Sequence, residues 1–326
     1  MNSIELSYRF FLKRPLKTTF YYILKKFLYL ISSLFFVITS TFFLMKSLPG
    51  DPFEEERGMR KEIKKALYAY YGLDKSLFVQ YENYLKGCLT LDFGPSLIYE
   101  HKHVMDIIKE GFPISALIGS QAFVLSIFLG LSLGGLSAYF HQRKLDSAIL
   151  FFSFAGISLP GFLLATLLQH LFAFRWHLLP LARFDGWSST LLPALSLSFL
   201  PTAYITRLFR VRLLNILSQD YIKLAYAKGF SSLAVFFRHT LRNSLLPLFA
   251  YLGPLLAHIV TGSFVIEKIF ALPGLGQWMV KSIQERDYTT ILGLTVFYSS
   301  LLLLSVFVFD LLSFLLDPRL RTKDSE

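Results

Sequence analysis

The sequence predicts an all-α, polytopic membrane protein with about six transmembrane helices, and three observations predict it. The 326-residue chain is 54% hydrophobic and only 17% charged. Six stretches, 27–45, 114–140, 147–174, 186–206, 243–266 and 288–309, reach or exceed the roughly 18–20 residues that cross ~30 Å of hydrocarbon. None of the six contains Lys, Arg, Asp or Glu; His170 and His258 are their only ionisable groups of note. Because the bilayer core holds no water, backbone polar groups there must pair internally, so spans of this length are helices.

Six spans place both termini on one side, and the basic residues say which. The two tails, the second-to-third connection and the segment 207–242 carry eighteen Lys and Arg, against five on the short connections of the opposite face. The positive-inside rule therefore puts both termini in the cytoplasm. The net charge of +11 has the same origin. Basic residues flank spans, where they hold topology and meet anionic membrane lipid, and nucleic acid is not an expected partner.

Along the chain, residues 1–19 read as a cytoplasmic extension and 20–113 as a first span with a long extracytoplasmic loop. Residues 114–326 read as a core of five spans. Phe27 to Met45 is longer than a signal-peptide core, and no small-x-small cleavage site follows it, so it reads as an uncleaved span. The loop opens on the turn Leu48-Pro49-Gly50-Asp51-Pro52, continues through a helix-like stretch at 54–70, and reaches Asp92-Phe93-Gly94-Pro95-Ser96. Cys88 is the chain's single cysteine and forms no intramolecular disulfide; His101 and His103 are not expected to be ligands.

Proline interrupts the third span at Pro160, the fourth at Pro193 and Pro201, and the fifth at Pro247 and Pro254. Proline frees backbone carbonyls and permits bends, which suits a water-lined path. Gly130-Leu131-Ser132-Leu133-Gly134 matches the spacing of a nucleophile elbow but lies mid-span. There the two glycines make a seam for close helix packing. Asp310 is the one acid inside an apolar run, about 9 Å along the helix from Leu316. A carboxylate there needs a partner, with Arg207, Arg210 or Arg212 the expected one; the alternative is a place in a gate or ion path.

The segment 207–242 is the most informative part of the chain. It holds seven Lys and Arg against one acid, Asp220, between two long spans. Ser218 is the expected N-cap of a short helix over about 219–228. Asp220 sits in its first turn and Lys228 in its last, each favoured by the helix dipole. Gly229 supplies the left-handed residue that ends many helices, with Phe230 folding back on Ala225. Ser231 or Ser232 then caps a second helix running toward Pro247. A charged hairpin of this kind at the inner surface is suited to grip a soluble partner.

These residues resemble a known family. Asp220-Tyr221-Ile222-Lys223-Leu224-Ala225-Tyr226-Ala227-Lys228-Gly229, followed by Arg238-His239, Leu241-Arg242-Asn243 and Leu246-Pro247, is similar to the inner-loop EAA signature of ABC importer permeases in its peptide-transporter form. The likeness continues through Gly262-Ser263-Phe264-Val265-Ile266-Glu267, Leu272-Pro273-Gly274-Leu275-Gly276, Arg286-Asp287-Tyr288 and Asp317-Pro318-Arg319, with the two loop motifs above. Some 300 residues resemble the B-type membrane subunit of oligopeptide permeases. One departure is Tyr226, where the family often carries a basic residue.

The resemblance implies a type I ABC importer transmembrane fold and a non-catalytic subunit forming half of a translocation pore. It implies a second homologous permease subunit, two separate ATPase subunits and an extracytoplasmic peptide-binding protein as partners. Asp220, Ala225, Lys228 and Gly229 would couple to the ATPase, and Pro273, Gly274, Leu275 and Gly276 would help dock the binding protein. No catalytic, cofactor-binding or metal-binding residue is assigned. Dipeptides, nickel chelates and glutathione are alternative cargoes within the family. The rival outside it is a secondary transporter, which would want more than Asp310 for proton coupling.

Overall fold

The computed structural model describes residues 16–47 and 61–316. The expected turn at 48–52, the tail motif at 317–319 and residues 1–15 lie outside the described residues. Among those described, five helices are long and apolar enough to cross a membrane, and a bent pair can make a sixth span.

Helix α1 (Leu16–Ser47) begins inside the stretch 1–19 and runs through Lys25 and Lys26 before its apolar body. The outer loop holds two short helices, α2 (Lys61–Tyr70) and α3 (Leu77–Thr90). Helix α4 (Val104–Tyr139) starts ten residues before the apolar run and carries Pro113 through without a break. Its first turns, with Val104, Ile107 and Ile108 fully or nearly buried, pack into a small outer core with Leu275 and Leu294. The sequence hid this start because Asp106, Lys109 and Glu110 interrupt the apolar pattern.

The expected third span is the point of greatest difference. It is two helices, α5 (Lys144–Ser158) and α6 (Gly161–Leu168, continued as a π-helical turn over Gln169–Arg175), bent by 106°. The cause is local. Leu159 precedes proline and adopts φ −81°, ψ 127°, the extended conformation that a following proline imposes. Gly161 then adds the residue of least helical preference after proline itself. Helix α7 (Ser188–Leu217) absorbs Pro193 and Pro201, and the fifth span absorbs Pro247 and Pro254, without such a break.

The chain then makes α8 (Asp220–Ala227), the single turn α9 (Ser232–Val235), a π-helical turn at Phe236–Thr240 and α10 (Leu241–Val260). Two outer helices, α11 (Phe264–Ile269) and α12 (Leu275–Gln284), lead to α13 (Tyr288–Leu316).

The main core lies where α4, α7 and α10 meet, around Ile118, Ala122, Ile205, Phe209, Leu252 and Ile259. The glycine seam of α4 is what lets α7 approach. A Cβ on Gly130 would fall 2.6 Å from Ile205, and one on Gly134 2.7 Å from the Thr206 carbonyl. That is a packing role and leaves no room for a nucleophile elbow. Helix α1 lies along α13, with Tyr22 stacked on Phe314 at 4.1 Å.

This packing corrects the expected partner of Asp310. Lys26 Nζ reaches its carboxylate at 2.7 Å, because α1 presents that residue to α13. Of the arginines expected there, Arg207 lies over the Phe154 ring at 4.4 Å and Arg210 is committed elsewhere.

Candidate functional site

The inner hairpin is built by stop and start signals. Ser218 does not cap α8: its hydroxyl turns back to Asn215 O and closes α7. Gln219 occupies the cap position with extended backbone, and the helix runs over Asp220–Ala227. At the other end Gly229 adopts φ +81°, its N–H reaching Tyr226 O at 2.9 Å and that of Phe230 reaching Ala225 O at 3.3 Å. These two bonds are the Schellman pair that Gly229 was expected to permit. Ser231 Oγ accepts from Ala234 N at 3.3 Å and caps the next turn.

Of the four residues assigned to coupling, Ala225 faces inward. With Ile222 it packs against Val235, Ile216 and Leu217, bracing α8 on the turn that follows it. A small residue fits there because the two turns are close. Asp220 and Lys228 are exposed; Lys223 pairs with Asp220 at 2.8 Å. Among the described residues, a Cβ on Gly229 would meet no atom beyond its chain neighbours within 4 Å, so there only the positive φ constrains this position.

Six of the hairpin's seven cations are exposed, and the seventh, Arg210, is engaged within the fold. Arg210 Nε and a terminal guanidinium nitrogen donate to the two oxygens of Asp146 at 2.8 and 2.7 Å, with the carboxylate buried and the arginine half-buried. Ser137 Oγ donates to the same carboxylate at 2.5 Å, and the Gln142 N–H at 3.0 Å. Arg242 donates to Leu316 O at 2.9 Å. What the hairpin shows to the outside is mixed: Tyr221, Leu224, Tyr226, Phe230, Leu233 and Phe237 stand beside the exposed Lys223, Lys228, Arg238 and Arg242. Asp146 escaped the sequence reading because it stands one residue before an apolar run, although it is the one acid in a basic connection.

The outer turn is organised around a second buried carboxylate. Glu267 on α11 is 3% exposed; its Oε1 accepts from Ser115 Oγ at 2.7 Å and its Oε2 from Gln277 N at 3.0 Å. Leu275 N in turn donates to Ser115 Oγ at 2.8 Å. The first-turn amides of α12, which no intrahelical carbonyl can serve, are thus met by side chains from α4 and α11. Gly274 and Gly276 allow this. A Cβ on the former would overlap the Glu267 carboxyl, and one on the latter would lie 2.7 Å from Phe264 N. Leu275 is buried with both glycines, which leaves Pro273 as the exposed member of the four.

Two motifs far apart in sequence meet beside it. Asp287 is fully buried and accepts from Ser96 Oγ, from Leu97 N at 3.1 Å and from Thr290 Oγ1 at 2.6 Å. The Asp-Phe-Gly-Pro-Ser segment is therefore pinned to the start of α13. Tyr99 adds a hydrogen bond to Glu285, with Lys281 Nζ 4.4 Å from its ring. Burial, and then the Glu285 contact, pushes the Tyr99 phenol well above its ordinary pKa.

A helical bundle with a capped inner hairpin and a clamped outer turn is the architecture of a transport-system membrane component. Residues 126–322 match the family described as binding-protein-dependent transport system inner membrane component, and the chain belongs to that family. It is 45% identical to the dipeptide transport system permease protein DppB of Bacillus subtilis (strain 168), over 92% of this chain and 97% of the relative. It is 36% identical to the oligopeptide transport system permease protein OppB of Salmonella typhimurium, over 85% and 92%. The fold matches a chain of the inward-facing MetNI methionine ABC transporter, with a TM-score of 0.52 and 16% identity, over 65% of this chain and 97% of that one.

Proposed function

We propose that this chain is half of the membrane pore of an ATP-driven importer of peptides, paired with a second homologous permease subunit. ATP closure and hydrolysis occur on two separate ATPase subunits and reach the pore through α8 and the turn after it. The observation that carries this reading is the hairpin: a short helix delimited at both ends, braced by Ala225 and Ile222, with an aromatic face turned outward. Exposed apolar patches rimmed by polar residues mark protein contact sites. Asp220, Lys228 and Gly229 rim this face. Both termini lie in the cytoplasm, on the side of the hairpin.

The outer segment from Ala271 to Tyr288, with the loop 61–103, docks the peptide-binding protein. Pro273 and its exposed neighbour Ala271 make the contact, while Gly274, Leu275 and Gly276 hold the turn in shape. The cargo includes dipeptides as well as longer peptides, a reading that the 45% identity to a dipeptide permease favours.

Uptake of labelled di-, tri- and pentapeptides in cells depleted of this chain tests the proposal. Rescue by the natural chain and failure of Gly229→Asp, which inserts normally but does not retain the ATPase subunits, is the expected result. Peptide uptake unchanged by depletion, with a second peptide system excluded, would overturn the cargo. Normal ATPase association by Gly229→Asp would overturn the coupling role.

A further inference from the structure

Helix α4 is gripped at both ends by a buried carboxylate, and in each case the grip passes through one of its own serines. At the inner end Ser137 Oγ donates to Asp146, whose two oxygens also hold Arg210, seven residues before the end of α7. The chain passes from there into α8 after two residues. At the outer end Ser115 Oγ donates to Glu267 and accepts from Leu275 N, so it joins α4 to the start of α12. Ser115 and Ser137 are 22 residues apart in one helix, about 33 Å of axial rise, which is the thickness of the hydrocarbon core.

Between the two grips α4 packs closely on α7. The Gly130 and Gly134 seam places backbone against Ile205 and Thr206, and Ser126 Oγ reaches Ser198 O at 3.3 Å. Near the outer grip Gly119 packs on the backbone of Ile259 and Val260. By contrast the neighbouring path through α5 and α6 is bent at Pro160. A close-packed interior transmits displacement only along elements that are held rigidly.

The geometry points to α4 as the lever that carries movement of the inner hairpin to the outer turn, with Ser137 and Ser115 as its two positioning residues. This rests on the coupling role given to the hairpin above. The outer turn answers ATP because Ser115 moves the N-terminus of α12, and the inner end enters because Ser137 moves with Asp146 and Arg210.

The test uses the assembled transporter, purified with its ATPase subunits, in a Cys88→Ser background. A fluorophore on Asn215→Cys reports the inner end and one on Gln284→Cys the outer turn, both sites being exposed. Trapping with ATP and vanadate is expected to shift both signals in the parent. Ser115→Ala or Ser137→Ala is expected to leave the inner shift in place and to reduce the outer one at least about fivefold, with the ATPase subunits still co-purifying. Ser120→Ala, whose hydroxyl bonds only to Leu117 O on its own helix, serves as the control and keeps both shifts. A full outer shift in both variants overturns the lever. Loss of assembly in both also overturns it, since the serines would then be scaffold alone. Absence of the inner shift in the parent sinks the coupling role instead.

Discussion

Arg210 separates the charge of a residue from its availability. Counted in the sequence it is one of the cations offered to a partner; in the fold its guanidinium is consumed by Asp146. A buried pair that loses one member leaves the other charge uncompensated, which costs on the order of 3–5 kcal/mol. Arg210→Ala is therefore expected to lower the thermal stability of the detergent-solubilised subunit strongly, while Arg212→Ala, at an exposed site, leaves it nearly unchanged. Equal melting temperatures for the two would contradict the assignment. Cys88 makes a second prediction at this scale. Burial pushes its thiol up to about 11, from a reference of 9.0. The thiolate is the reacting form, so at pH 8 a raised pKa means roughly a hundredfold less of it. Alkylation of the folded chain by iodoacetamide should be slow at pH 8, rise steeply toward pH 11, and become fast at pH 8 on denaturation. A rapid pH 8 reaction of the folded chain would refute that burial.

Among the elements, those set by nearest neighbours were legible in advance. The end of α8 was readable from Lys228-Gly229-Phe230 because the Schellman pair spans six residues, and Ser231 announced its cap in the same way. The bend at Pro160 was readable as an interruption but not as an angle. Pro193, Pro201, Pro247 and Pro254 looked equivalent on paper, yet their helices run on. The difference is the Leu159-Pro160-Gly161 triplet, which joins an extended residue, a missing donor and a glycine. Replacing Pro160 and Gly161 with alanine should restore a continuous helix. Spin labels at Phe151→Cys and Leu167→Cys would then move from about 14 Å apart, given two arms of about 12 Å and the 106° bend, to about 24 Å. An unchanged distance would show that tertiary packing, not the triplet, fixes the bend.

The whole molecule is where the sequence was least legible. Lys26 meets Asp310 across 284 positions, Asp287 meets Ser96 across 191, and Glu267 meets Ser115 across 152. No local pattern encodes such meetings. They appear only once α1 lies on α13 and α4 stands between the hairpin and the outer turn. The span number and the ends of the hairpin helix could be read because each rests on runs or spacings within a few turns. The pairing of two loop motifs and the cradle for Glu267 could not. At this scale the outward face of the hairpin makes its own prediction. With six large apolar side chains on that face, docking of the ATPase should depend on apolar contact more than on the exposed cations around them, whose contribution salt screens. Co-purification should change less than about twofold between 0.1 and 0.5 M salt, and fall at least about tenfold with Leu224→Asp or Leu233→Asp. A steep salt dependence would return the interface to electrostatics.

The same aromatic face governs what becomes of a newly made subunit. In the isolated chain six large apolar side chains of the hairpin are exposed. Such a surface is what chaperones hold and proteases seek, and what drives aggregation when synthesis outruns assembly. On the proposed docking of an ATPase subunit at this face, the supply of that partner should set how much of this subunit accumulates. On the same reading, production of the chain alone should give lower yields than co-production with the ATPase subunits.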